Sequence, residues 1–170
     1  MKAFFGRTLR HIFARPARPA SKSGCRSCRP ADGGAGGWNR EQGRWGETVA
    51  ADHLRRLGWR IVERNARPCR RDRRCELDLV AYEPKARQVV FVEVKTHARH
   101  SAHATRLWAV DARKKRNILR ASASWLMRRH WHGNFRFDVI EVYGMKGGEA
   151  PPEVDHIPNV RLFPPNWRFW

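Results

Sequence analysis

Asp78, Glu93 and Lys95 have the types and spacing of a D-x(n)-E-x-K pattern, and each sits inside a short apolar run. Asp78 belongs to Glu76-Leu77-Asp78-Leu79-Val80, and Glu93 and Lys95 belong to Phe91-Val92-Glu93-Val94-Lys95. Burying a carboxylate is costly unless it is paired or bound to a metal, so acids beside one ammonium in core-like runs need a physical reason. A divalent cation supplies one. Two carboxylates, with a backbone carbonyl and waters, suit Mg²⁺ or Mn²⁺, hard ions that take oxygen shells. Such an ion polarises a phosphate and lowers the pKa of a bound water. A lysine beside it would orient that water or neutralise charge building on a pentacovalent phosphorane. The pattern therefore suggests hydrolysis of phosphodiesters. The competing reading is a half-exposed hairpin with cross-strand ion pairs, and Asp78 in a neighbouring apolar strand weighs against it.

The elements that must hold these residues follow from alternation and punctuation. Both runs read as strands, and Glu83-Pro84-Lys85 breaks them into a hairpin. Side chains alternate along a strand, so Glu76 and Asp78 share one face and Glu93 and Lys95 share another, with Leu77, Leu79, Val92 and Val94 opposite. Upstream, a helix over residues 41–57 carries Glu47, Ala50, Ala51 and Leu54 on one stripe and stops at Gly58. Glu47 thus lies toward the sheet, either as a metal ligand or as half of a buried ion pair with an arginine. Residues 59–65 form the first strand. The loop over 66–74 holds Arg67, Arg70, Arg71, Arg73 and Arg74, whose mutual repulsion calls for an anion. Residues 99–106 read as a loop over the substrate, with His97, His100 and His103 about it; a histidine metal cluster lacks the supporting spacing. Asp111 caps a helix over 112–129 with Ile118, Leu119, Ser122, Trp125 and Leu126 on its buried stripe. Lys114, Lys115 and Arg116 in its first turns oppose the helix dipole, which points to an external phosphate. Residues 135–143 give a last strand, so the order is αβββαβ in an α/β fold.

In this order the motifs resemble the YraN family of small bacterial proteins, over most of residues 41–143. The pieces are Gly43-Arg44-Trp45-Gly46-Glu47, Leu57-Gly58-Trp59, Asn65-Ala66-Arg67, Glu76-Leu77-Asp78-Leu79-Val80, Phe91-Val92-Glu93-Val94-Lys95-Thr96, Lys114-Lys115-Arg116 and Arg136-Phe137-Asp138-Val139-Ile140. The resemblance implies a restriction-endonuclease-like core of the PD-(D/E)xK superfamily, a mixed sheet flanked by helices. It also implies a Mg²⁺- or Mn²⁺-dependent endonuclease in which Asp78 and Glu93 are the metal carboxylates and Lys95 is the catalytic lysine. Glu47 would be an extra acid like the helix glutamate of archaeal Holliday-junction resolvases, and structured or branched DNA would be the substrate. Two positions depart from the family pattern: Cys75 replaces the glycine before Glu-x-Asp, and His97 replaces the basic residue after Val-Lys-Thr.

Composition sets the partners. The chain has 170 residues with 41% hydrophobic content, enough for one modest core. A formal charge of +19 attracts polyanions. Nucleic acid is the economical partner and an anionic membrane surface the alternative; no apolar run is long enough to span a bilayer. A nucleic-acid-binding protein without turnover remains the alternative to an enzyme. A homodimer follows only if the substrate is a two-fold junction. Residues 1–40 carry nine Lys or Arg against Asp32 alone and read as a basic arm on a Gly-rich linker. Its opening, Ala3-Phe4-Phe5 with Leu9, Ile12 and Phe13, fits a short amphipathic helix for nucleic acid, lipid or organellar targeting, and is too polar for secretion. The expected domain is 41–143, followed by a Pro-rich aromatic extension, 144–170. Cys25, Cys28, Cys69 and Cys75 invite a zinc hypothesis, but their spacing favours reduced thiols, as in the cytoplasm.

Overall fold

A computed structural model describes residues 35–69, 72, 74–99 and 112–162. Residues 1–34 of the basic arm, including Cys25 and Cys28, together with Arg70, Arg71, Arg73, His100, His103, Asp111 and the terminal aromatics, lie outside the described residues. The elements are α1 (Ala35–Arg56), β1 (Arg60–Ala66), β2 (Leu77–Glu83), β3 (Gln88–His97), α2 (Ala112–Arg128), β4 (Asn134–Tyr143) and β5 (Glu153–Ile157). They build one five-stranded sheet in the order β1-β2-β3-β4-β5. All neighbours are antiparallel except β3 and β4, which are parallel and joined through α2.

Strand alternation divides the core in two. Leu79, Ala81, Val90, Val92, Ile140 and Val142 meet Ala50, Ala51 and Leu54 of α1. Val80, Val89, Phe91 and Val139 meet Ile118, Ala121, Trp125 and Leu126 of α2. The α1 stripe is thus the expected one. So is that of α2, where Ser122 is fully buried and Leu119 partly so. Leu77 departs from strict alternation: it joins Val80 and Phe91 on the α2 side, because it ends the strand where the Asp72–Cys75 turn delivers the chain. Glu76 precedes the strand, so strand alternation does not set its direction, and it pairs with Arg67.

Both helices end on left-handed residues. At α1, Gly58 has φ 81°, its N–H donates to the Arg55 carbonyl and the Trp59 N–H to that of Leu54. At α2, His130 takes the same place with φ 48°. These paired bonds satisfy carbonyls that a helix end leaves open.

Two boundaries differ from expectation. Helix α1 starts at Ala35, inside the stretch read as linker; Gly36 and Gly37 weaken a helix by about 1 kcal/mol each without barring it, and no proline intervenes. The segment read as an extension supplies β5, whose ladder to β4 runs from Val139–Ile157 to Tyr143–Glu153. Leu162 beyond it is buried in the α2-side core. What holds β5 is Asp138. This fully buried carboxylate accepts two bonds from Arg136, one from His156 Nε2 at 3.0 Å and one from the Asn159 N–H at 2.9 Å. Arg136 also pairs with Glu83 and lies 5.1 Å over the Trp59 ring. No helix among the described residues is long and apolar enough to cross a membrane.

Candidate active site

The β2–β3 hairpin brings the predicted acids together. Leu79 pairs with Val92, which sets Asp78 beside Glu93 on the α2 face. Both line one cavity of about 370 Å³, together with Glu47, Lys95, Lys114, Gln42, Gly43, Val94 and Thr96. Asp78 Oδ2 accepts the Val94 N–H at 2.8 Å, which fixes the carboxylate across the two strands. Glu93 is only 4% exposed. Its Oε1 takes Lys95 Nζ at 2.9 Å and the Lys114 ammonium as well. Burial, and then the Glu93 charge, push Asp78 up to about 7, against the pull of the Val94 N–H and Lys114. Burial penalises the Lys114 ammonium too, yet the Glu93 carboxylate raises it above the ordinary lysine range.

Glu47 reaches this cavity from α1 because the helix lies tight on the sheet. A Cβ at Gly46 would come 2.0 Å from Thr96 Oγ1, so only glycine permits that approach. Gln42 anchors the same end, donating to the Gly144 carbonyl at 2.8 Å and accepting the Lys146 N–H. Asn65, left-handed at φ 49°, donates its amide to Glu47 Oε2 at 2.8 Å. Among the described residues the partner of Glu47 is this amide and not an arginine.

A second, open-sided cavity of about 680 Å³ adjoins the first through Gly43 and Glu47, and is otherwise lined by Arg40, Arg44, Asn65, Arg67 and Glu76. The two loop arginines among the described residues, Arg67 and Arg74, find anions within the chain. Arg67 pairs with Glu76 at 2.9 Å, and Arg74 forks onto Asp72, which also takes Arg120. The Arg74 fork holds Asp72 down at about 2. Lys115 is half-buried on α2 and Arg116 exposed. Cys75 is buried with its thiol pushed up to about 11 by burial and then by Cys69; both are free thiols.

Three arrangements escape sequence reading. Lys114 turns inward to Glu93, Asn65 steadies Glu47, and Glu141 lies buried on β4 opposite Lys95. Tyr143 donates to Glu141 at 2.6 Å and His97 stacks on the Tyr143 ring. Burial and then Glu141 push the Tyr143 hydroxyl up to about 12. Only the Asn65-Ala66-Arg67 motif carried a signal, since asparagine tolerates the left-handed region.

The donor set fits a hard divalent ion. Among the described residues no three carboxylate, histidine or cysteine side chains are grouped so that they could hold a metal. Mg²⁺ needs no such cage: it is commonly held by one or two carboxylates, waters and substrate phosphate. Asp78 and Glu93 are the two carboxylates that would hold such an ion, with Glu47 at the cavity wall.

A mixed sheet with helices on both faces and this acid-bearing hairpin at its centre is a restriction-endonuclease-like core. The chain belongs to the UPF0102 family, described as an uncharacterised protein family, whose model matches residues 46–142. It is similar to the UPF0102 protein of Pelobacter propionicus, 42% identical over 123 residues covering 72% of this chain and 83% of that one. The UPF0102 protein of Syntrophotalea carbinolica is 45% identical over 120 residues, 69% of this chain and 89% of its own. That of a Mycobacterium species, strain JLS, is 41% identical over 126 residues, 72% and 87% of the two chains.

Proposed function

We propose that this protein is a metal-dependent nuclease that hydrolyses phosphodiesters of structured or branched DNA. The observation that carries this reading is the pairing of Asp78 and Glu93 on one cavity wall with Lys95 beside them. A divalent ion held there would polarise the phosphate and acidify a water. Lys95, anchored on Glu93 at 2.9 Å, would orient the attacking water or meet the charge that develops on phosphorus. Lys114 shares Glu93 and would be released toward a phosphate oxygen once another cation takes its place. Asn65 holds Glu47 at the rim, where its free oxygen can accept a hydrogen bond from water. The branched substrate is drawn from the resemblance to resolvases, and so is a dimer matched to a two-fold junction.

One observation favours a second reading. Two ammonium groups already compensate Glu93, so the cavity stands without a metal, as suits a binding protein that keeps the fold without turnover. Incubation of the protein with duplex, single-stranded, flap and four-way-junction DNAs in Mg²⁺ or Mn²⁺ separates the two. The nuclease cuts at least one of them, Asp78→Asn abolishes the cutting while DNA binding persists, and Lys95→Ala slows it by about 10² or more. Binding to all of them with no cleavage in either metal would establish the binder instead.

A further inference from the structure

Gly43 has no packing reason to be glycine. It lies inside α1, where glycine destabilises relative to alanine, and its φ is an ordinary helical one. A Cβ there would meet nothing within 4 Å, in contrast to Gly46 three residues on. The empty space is nevertheless placed: Gly43 lines both cavities and stands on the wall between them. Arg40, Gly43, Arg44 and Glu47 follow helical spacing, so one stripe of α1 runs from the arginine-lined cavity to the carboxylate cavity. Opposite that stripe, Arg67 enters the larger cavity from the end of β1, paired with Glu76. A guanidinium has five donors in a fixed fork, and this ion pair leaves most of them for a second acceptor.

We infer that the arginine-lined cavity seats a phosphodiester adjoining the one cut, and that Gly43 is the gap through which the nucleic-acid backbone passes from one cavity to the other. The inference rests on the nuclease reading for the name of the first cavity alone; the second is a binding site in its own right. The two cavities have the complementary characters that this requires. Carboxylates and lysines suit a phosphate under attack, whereas arginines grip a phosphate that does not react. The close approach of a backbone to a helix is a use to which glycine is put.

The experiment uses the full chain without added metal, in EDTA, and reads fluorescence anisotropy of labelled single-stranded and duplex oligonucleotides over a salt series, alongside thermal melting. Gly43→Ala should raise the Tm by about 2 to 4 °C, as a helix-favouring change does, while weakening binding several-fold. Gly43→Leu should weaken binding further without loss of fold. Arg44→Gln should lower the log-log salt slope on duplex by about 0.9, the share of one phosphate. Affinity unchanged in both Gly43 variants would overturn the inference, and so would affinity and Tm falling together, since that would make Gly43 a structural residue. Because no metal is present, weakened binding with no cleavage by the wild type in any metal would retain the phosphate seat and defeat only the nuclease reading.

Discussion

Burial and the neighbouring Glu93 disfavour the charged form of Asp78, a cost that a bound metal would remove. Its carboxyl sits at about 7 in the folded protein, against an ordinary value of 3.8. Between those values the native state keeps a proton that the unfolded chain has released, so stability falls as pH rises through that window. Asp78→Asn should therefore raise the stability of the metal-free protein at neutral pH by about 1 to 3 kcal/mol and flatten the Tm between pH 4 and 7. The same proton competes with a cation. Metal affinity of the wild type, followed by calorimetry, should climb with pH up to about 7 and then level off, and the Asn variant should show little binding at any pH. A stability difference between Asp78→Asn and wild type, both metal-free, that fails to grow from pH 4 to 7 would contradict this account of Asp78.

The β4–β5 pair shows why some elements were readable and others were not. Asp138→Ala removes the acceptor of Arg136, His156 and Asn159 at a fully buried position, leaving charge uncompensated in the core. A loss of roughly 3 to 5 kcal/mol is expected by denaturant unfolding, with β5 amides losing hydrogen-exchange protection first. Strand β5 is hidden in the sequence: only Val154 and Ile157 are apolar, prolines flank it, and its reason to be a strand is the distant ladder and the Asp138 bond. By contrast β2, β3 and α2 announce themselves through alternation or a helical stripe. The site follows the same division. Asp78, Glu93 and Lys95 were legible because one hairpin with a short turn fixes their relative places. Lys114 and Asn65 were not, because their roles depend on how α2 docks and on one left-handed residue at a strand end. Glu76 lies one residue outside the strand, where alternation does not apply. For Arg67 and Arg74, the two loop arginines among the described residues, Glu76 and Asp72 supply anions within the chain, partners that the charge count of the loop alone does not reveal.

At the scale of the whole chain the net charge of +19 dominates encounter with polyanions. Binding to duplex DNA should weaken with salt at a log-log slope of about 0.9 for each phosphate neutralised. A chain lacking residues 1–34 loses Lys2, Arg7, Arg10, Arg15, Arg18, Lys22, Arg26 and Arg29 against Asp32, and leaves α1 whole. Its slope should be shallower while its melting transition is kept; an identical slope would place those cations away from the DNA.

The sheet's two outer strands carry a further consequence, for how copies of the molecule can meet. Strand β1 bears Arg60, Glu63 and Arg64, and β5 bears Glu153 and Asp155. Joining two β5 edges about a two-fold axis through Val154 or Asp155 sets acid against acid. Joining two β1 edges about Val62 or Glu63 sets Arg60 against Arg64, or Glu63 against itself. Like charges facing each other across strands repel, and charged side chains are a recognised means of blunting an open edge. Opposite signs meet only when β5 of one copy meets β1 of the next, a head-to-tail contact that does not close into a pair. A two-fold dimer of this chain is therefore better built on its helices than by continuing its sheet.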